Sequence, residues 1–356
     1  MTDLYQRSIE IILANQHPSG AYIASPNFAP YRYCWIRDGS FLAYAMDLVG
    51  EHSSAARYHS WAAKVVNQRE EVVRRAIEIN GLGKPLAESD ILHTRYTLEG
   101  KEAEEGWHNF QLDGYGTWLW ALGEHRRLSG RSFFKEYVHT IDLVADYLSA
   151  LWRSPCYDCW EEFPDKIHTY TLAAVCAGLH ACSSYGNMDH TDTVQTIRDF
   201  IHAHNVAEGH YVKYMGSDEV DASLIGLSVP YRVATVSDAL IYKTVDRIET
   251  DLRQNGGVHR YPGDTYYGGG EWILLTAWLG WHYAEIGEPE RAVPLLKWIE
   301  KQADENGNLP EQVPNNLNNR SYLEPWCNRW GNIAQPLLWS HANYLILHTA
   351  LDQSGP

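Results

Sequence analysis

Carboxylates set among aromatic rings and guanidinium groups are the chemistry-bearing feature of this chain. The segment YDCWEEF places Glu161 and Glu162 side by side, flanked by Trp160 and Phe163. Apolar walls and a like-charged neighbour each disfavour the ionised form of a carboxyl, so one of the pair could hold its proton near neutral pH. A protonated carboxyl working with an ionised one is the equipment for splitting an acetal. The first gives its proton to the leaving oxygen, and the second activates water or attacks directly. Read from composition alone, the same pair also fits two surface glutamates at a helix entrance. Other chemistries lack their motifs: Gly268, Gly269 and Gly270 carry neither GxxxxGK nor GxGxxG, and no serine stands in a GxSxG elbow.

Metal-ligand patterns are equally thin. Cys156 and Cys159 form a close pair with no second pair at zinc-ligand spacing. His202 and His204 stand two apart on a helix-like stretch and so on different faces, and His341, on an apolar helix, reads as a hydrogen-bonded core histidine. We therefore expect no metal and no cofactor. Six cysteines in 356 residues are too few for a disulfide scaffold, and reduced thiols are the default.

Composition narrows the partners. With 45% hydrophobic and 21% charged residues, the chain is that of a folded protein. Its net charge of −16 repels phosphate backbones and anionic membrane surfaces, which excludes nucleic acid as a partner. Fourteen Trp and 23 Tyr against only 7 Phe mean that most rings carry a polar handle. Such rings suit a wet cleft that stacks on a ligand and hydrogen-bonds to it, although buried structural rings would look similar. Asp3, Arg7 and Glu10 interrupt the N-terminus where a secretory signal needs an apolar run, and no stretch approaches 18 consecutive apolar residues. The expectation is a cytoplasmic protein without a membrane span.

The elements that must position these residues read as helices of two kinds. From Phe134 through Val138, Ile141, Val144, Ala145 and Leu148 to Trp152, apolar residues follow the spacing of one helical stripe, with Lys135, Glu136, Asp142 and Asp146 opposite. Stretches 40–49, 116–122, 172–182, 272–281 and 339–347 are apolar nearly all round, and 222–229, ending at Pro230, makes a sixth. Between them lie amphipathic stretches at 52–78, 131–153, 189–204, 238–254 and 289–303, preceded by 2–15. Six inner and six outer helices predict an all-α, closed double ring, an (α/α)6 barrel, with no linker dividing residues 1–356 into two domains. Strand signal is confined to 210–215, one arm of a small hairpin. In such a ring the loops from outer to inner helices gather at one end and line a pit. Here those loops are the most aromatic and carboxylate-rich parts of the chain.

Five of them, read together, resemble glycoside hydrolase family 15, the glucoamylase-like family. YRYCWIRD resembles its aromatic-x-Trp-x-Arg-Asp block and GWHNFQLDG its Trp-containing block ending in Asp-Gly. YDCWEE resembles Tyr-Asp-Leu-Trp-Glu-Glu, RYPGDTYYGGGEW resembles Arg-Tyr-Pro-x-Asp-Thr-Tyr-Tyr, and LPEQ followed by WSHA resembles the final pair. The blocks stand in the family's order from Tyr31 to Ala342.

The resemblance implies that Glu161 is the general acid and Glu311 the general base of an inverting reaction. Their carboxyls would stand roughly 6.5–9.5 Å apart. It implies that Trp107 and Trp160 wall the acid, that Arg37 and Asp38 grip the hydroxyls of a non-reducing terminal sugar, and that Arg260 and Glu162 hold the next unit. Tyr31, Trp35, Tyr266, Trp272 and Trp339 would complete an aromatic lining, with Asp264 as a partner of the arginine-containing loop. Because Arg37 and Asp38 can bond vicinal hydroxyls only where a sugar chain ends, a pocket and exo action follow. The expected substrates are short neutral α-linked gluco-oligosaccharides, isomaltose-type α-1,6 or malto-type α-1,4, releasing β-glucose. Trehalase activity and a catalytically silent sugar-binding barrel are the alternatives.

Two departures stand out. Cys159 replaces the family's Leu, and NNLNNRSYLEPWCNRWGN, between Glu311 and Trp339, matches no block while containing Glu324, a rival base. The family's prokaryotic β-sandwich domain and starch-binding module have no counterpart in the sequence, which points to short oligosaccharides rather than polymer.

Overall fold

The computed structural model describes residues 3–130, 134–183, 185–254 and 256–353. Residues 131–133 of the stretch expected at 131–153, Thr2 of the stretch at 2–15, and the side chains of Phe134, Lys135 and Glu136 lie outside the described residues. Helices form two concentric rings. The outer ring runs through α1 (Leu4–Ala14), α3 (His52–Asn67) with α4 (Glu70–Gly81), α6 (Phe134–Leu151), α8 (Thr191–His204), α9 (Ala239–Leu252) and α11 (Pro289–Glu300). The inner ring runs through α2 (Ile36–Leu48), α5 (Asp113–Ser129), α7 (Thr169–Cys182), a 3-10 helix (Ala222–Leu227), α10 (Ile273–Glu285) and α13 (Leu338–Gln353). One further helix, α12 (Leu323–Trp330), belongs to neither ring. Each inner element packs on the next, and α13 returns to α2, so the (α/α)6 barrel closes.

Burial follows from the sequence pattern. In α9 only Ile241, Thr244, Val245, Ile248 and Leu252 are buried, a single stripe facing inward. In α10 every residue from Ile273 to Ala284 is buried, because that helix has outer helices behind it and the barrel axis in front. Phe41, Trp278 and Trp339 fill the axis, with ring centroids 5.5 and 5.6 Å from Phe41. Where α5 crosses α7 the backbones nearly touch: a Cβ on Gly116 would lie 2.5 Å from the carbonyl of Ala174, and one on Gly178 would lie 2.5 Å from the carbonyl oxygen of Gly116.

Two expected elements take a different form. The sixth inner stretch, 222–229, is a six-residue 3-10 helix rather than an α-helix. Pro230 has no N–H and disfavours a helical Val229, so the short segment closes with bonds such as Leu224 N–H to the Asp221 carbonyl, 3.0 Å. The stretch 52–78 breaks at Gln68 and Arg69 into α3 and α4. There the Arg69 guanidinium turns back to donate to the carbonyls of Val65 and Gly100. The hairpin arm at 210–215 is present as His210–Tyr211 paired with Val206–Ala207.

Two further ladders, each two residues long, sit at the entrances to inner helices. Cys34–Trp35 pairs with Arg95–Tyr96 just before α2, and Glu271–Trp272 pairs with Gln312–Val313 just before α10. They clamp the loops at one end of the barrel. No helix among the described residues is long and apolar enough to cross a membrane.

Candidate active site

At that end the loops enclose a pit of about 440 Å³. All thirteen residues expected at the site line it, including Glu161 and Glu311, and they come from six separated segments. Trp35, Arg37, Asp38, Trp160, Arg260, Tyr266, Trp272, Glu311 and Trp339 are buried; Tyr31, Trp107, Glu161 and Glu162 are half-buried. Glu324 lies on the exposed face of α12 and does not reach the pit.

Glu161 projects from a strained turn. Its φ is +68°, and that of Phe163 is +51°, a region that side-chain-bearing residues rarely adopt. Asp158 holds the turn together: its Oδ1 accepts the N–H groups of Trp160 at 3.0 Å and Glu162 at 2.8 Å, while Glu161 N–H donates to the Asp158 carbonyl at 2.9 Å. Beneath the turn, buried Lys213 approaches Asp221 at 3.0 Å and Asp158 at 3.8 Å, and Asp221 accepts from the Trp160 indole N–H. The ring hydrogen-bonded to Glu161 is Trp35, whose Nε1–H donates to Oε1 at 2.5 Å. Trp107 stands edge-on to Trp35, 5.8 Å between centroids.

Glu311 follows from the second ladder. The pairing of Trp272 with Gln312 fixes its neighbour, and Glu311 N–H donates to the Ala334 carbonyl at 2.9 Å. Its Oε1 accepts from the Tyr31 hydroxyl at 2.9 Å, and Tyr31 is itself 2.9 Å from the Tyr266 hydroxyl. Among the described residues its buried Oε2 has no hydrogen-bond partner. Burial pushes the Glu311 carboxyl up to about 8, against the lowering effect of Tyr31 and Arg260. Glu311 is buried, whereas Glu161 and Glu162 are half-buried.

Two arginine–carboxylate groups complete the lining. Arg37 lies 3.3 Å from Asp38 and 3.3 Å from Asp113, donates to Gln111 at 2.9 Å, and stacks 4.9 Å from the Trp339 ring. Asp38 Oδ2, the atom facing Arg37, is buried and has no hydrogen-bond partner among the described residues. Its carboxyl is pushed up to about 6 by burial, with Arg37 opposing. Both Asp38 and Asp113 occupy the first turns of their helices, where the backbone carries partial positive charge. Arg260 is clamped by Asp264 through two hydrogen bonds, the Nε one at 2.8 Å, and lies 3.7 Å from Glu162, which also accepts from the Tyr261 hydroxyl.

The sequence missed part of one wall. Trp326, Arg329 and Trp330 of α12 line the pit. Trp330 stacks on Trp107 at 6.1 Å, and Trp326 meets Tyr266 edge-on at 5.0 Å and donates its indole N–H to the Thr265 carbonyl at 3.0 Å. The Trp-x-x-x-Trp spacing, which puts both rings on one helical face, was the available signal. Asp158 lay inside a recognised block, and Lys213 was visible only as a lone charge in an apolar stretch.

Comparison with known proteins agrees with this arrangement. The model of the family described as glycosyl hydrolases family 15 matches residues 1–348. An isomaltose glucohydrolase of Kribbella flavida is 40% identical over 362 residues, covering 99% of this chain and 94% of that protein. Trehalase 2 of Sulfolobus acidocaldarius is 26% identical over 343 residues, covering 87% of this chain and 58% of that protein. A glycosidase variant solved in complex with glucose superposes with a TM-score of 0.94 at 39% identity, covering 98% of this chain and 96% of that one. These similarities and the pit of paired carboxyls, arginines and indoles have one common reading: the chain belongs to glycosyl hydrolases family 15 and is a glycoside hydrolase.

Proposed function

We propose that the protein is an inverting, exo-acting α-glucosidase that removes β-glucose from the non-reducing end of short gluco-oligosaccharides, with isomaltose-type α-1,6 linkages preferred. The observation that carries this reading is that Glu161 and Glu311 line one pit together with the buried Arg37–Asp38 pair. Arg37 offers N–H groups and Asp38 an Oδ2 with no hydrogen-bond partner among the described residues to adjacent hydroxyls, a match for a ring that ends a chain. Glu161 gives its proton to the glycosidic oxygen as the C1–O bond breaks. Glu311, ionised, takes a proton from a water held at its Oε2, and that water's oxygen bonds to C1 from the opposite face. Arg260 and Glu162 then bind the departing unit. The α-1,6 preference rests on the 40% likeness to the Kribbella protein, whose name specifies isomaltose.

A proton NMR time course with isomaltose, maltose, maltotriose and trehalose tests the proposal. Early β-glucose, fastest from isomaltose, is expected. Early α-glucose would overturn inversion, glucose from trehalose alone would make the protein a trehalase, and oligosaccharide binding with no glucose released would make it a silent binding barrel.

A further inference from the structure

A second polar cluster lies away from the pit. Asp47 near the end of α2, His59 in the middle of α3 and His125 in the last turns of α5 are all buried, at 2%, 0% and 1% exposure. Nine residues of α2 separate Asp47 from Asp38, about 14 Å at the helical rise, so the cluster sits toward the other end of the barrel. One potential donor atom from each of the three residues lies within 4.8 Å of the other two. His125 Nδ1 is 2.8 Å from both Asp47 oxygens, and Asp47 Oδ1 also pairs with His52 Nδ1 at 2.8 Å. The His59 and His125 rings are 5.1 Å apart. Among the described residues neither ring nitrogen of His59 has a hydrogen-bond partner. A fully buried imidazole with both nitrogens unanswered is costly and calls for an explanation.

We propose that Asp47, His59 and His125 bind a divalent transition-metal ion, zinc by donor type, that ties the inner helices α2 and α5 to the outer helix α3. Two imidazole nitrogens and one carboxylate oxygen are donor types that zinc takes. Zinc bonds of roughly 2.0–2.2 Å require donor atoms somewhat over 3 Å apart. The ion therefore takes the place of the proton between His125 and Asp47 and draws the His59 ring in by less than 2 Å. His52 holds the carboxylate from the solvent side, as partners of metal ligands commonly do. The sequence hid this site because its ligands stand at 47, 59 and 125, with no short-range spacing. Its role is structural, since it touches nothing in the pit.

The test strips the purified full chain with a chelator, then titrates zinc chloride while following bound metal by mass spectrometry and stability by thermal melting. One zinc per chain is expected, with Tm falling by roughly 5 °C on stripping and recovering on titration. The variant His59→Leu should lose the stoichiometric zinc, whereas His202→Ala with His204→Ala, both exposed at the end of α8, should retain it. No zinc uptake by the wild-type chain, equal uptake by His59→Leu, or loss of uptake in the surface variant would each overturn the proposal. Should His59→Leu fail to fold, His59→Gln and the stripping of the unaltered chain decide the same question.

Discussion

Glu161→Gln keeps the shape of the proposed acid and removes its proton, which makes the two carboxyl roles separable. With isomaltose the variant should lose about 10²- to 10⁴-fold in kcat. With α-glucosyl fluoride, whose leaving group needs no proton, most of that loss should vanish, whereas Glu311→Gln should stay slow on both substrates. Equal losses on the two substrates would remove Glu161 from the acid's role. Tyr31 gives a second handle. Its hydroxyl donates to Glu311 and favours the ionised base, so Tyr31→Phe should raise the Glu311 pKa further above its already elevated position. A base must be ionised to act, so kcat/KM falls as pH falls through that pKa. The limb of the profile that Glu311 sets should therefore move to higher pH in Tyr31→Phe. An unmoved limb would mean that another group sets it.

Elements decide whether those residues meet. The segments just before inner helices were legible, because a run apolar on all faces marks a doubly covered helix and a polar, aromatic stretch before it must lie at the mouth. What escaped was structure set by close packing and short ladders rather than by periodicity. Residues 222–227 have the composition of an inner helix, but Pro230 and the contact of Gly226 with the Tyr170 ring leave them only a 3-10 turn. Helix α12 has too few buried residues to announce itself, since it is held by ring contacts with Tyr266 and Trp107. The turn carrying Glu161 was visible as a sequence but not as a shape, because its positive φ depends on Asp158 accepting two backbone N–H groups. Asp158→Ala should release that turn. A misplacement of about 1 Å costs on the order of 10²-fold in rate, so kcat should fall by that order with KM little changed. Asp158→Asn keeps an oxygen acceptor and should recover part of the loss. A fall in KM-dependent binding alone would argue that the turn serves the sugar and not the acid.

Across the whole molecule, enclosing a reactive pit costs stability, and the cost depends on pH. Burial pushes Glu311 up to about 8, Asp158 to about 7 and Asp38 to about 6. Each carboxyl then holds a proton in the folded chain over a range where the unfolded chain has lost it. Unfolding in that range releases protons, so stability falls as pH rises, the reverse of the usual carboxylate pattern. For Glu311 the range runs from the ordinary value of 4.5 to about 8. Fully ionised, the buried group should cost on the order of 5 kcal/mol. Glu311→Gln cannot ionise and escapes this cost, while Asp158 and Asp38 titrate in both proteins and largely cancel from the comparison. The variant's advantage over the wild-type chain, read as the difference in unfolding free energy from urea titrations, should be small at pH 5. It should widen up to about pH 8 and level off above it. A difference that stays flat with pH would show that Glu311 ionises as easily folded as unfolded, and the site would then have to be wetter than its geometry indicates.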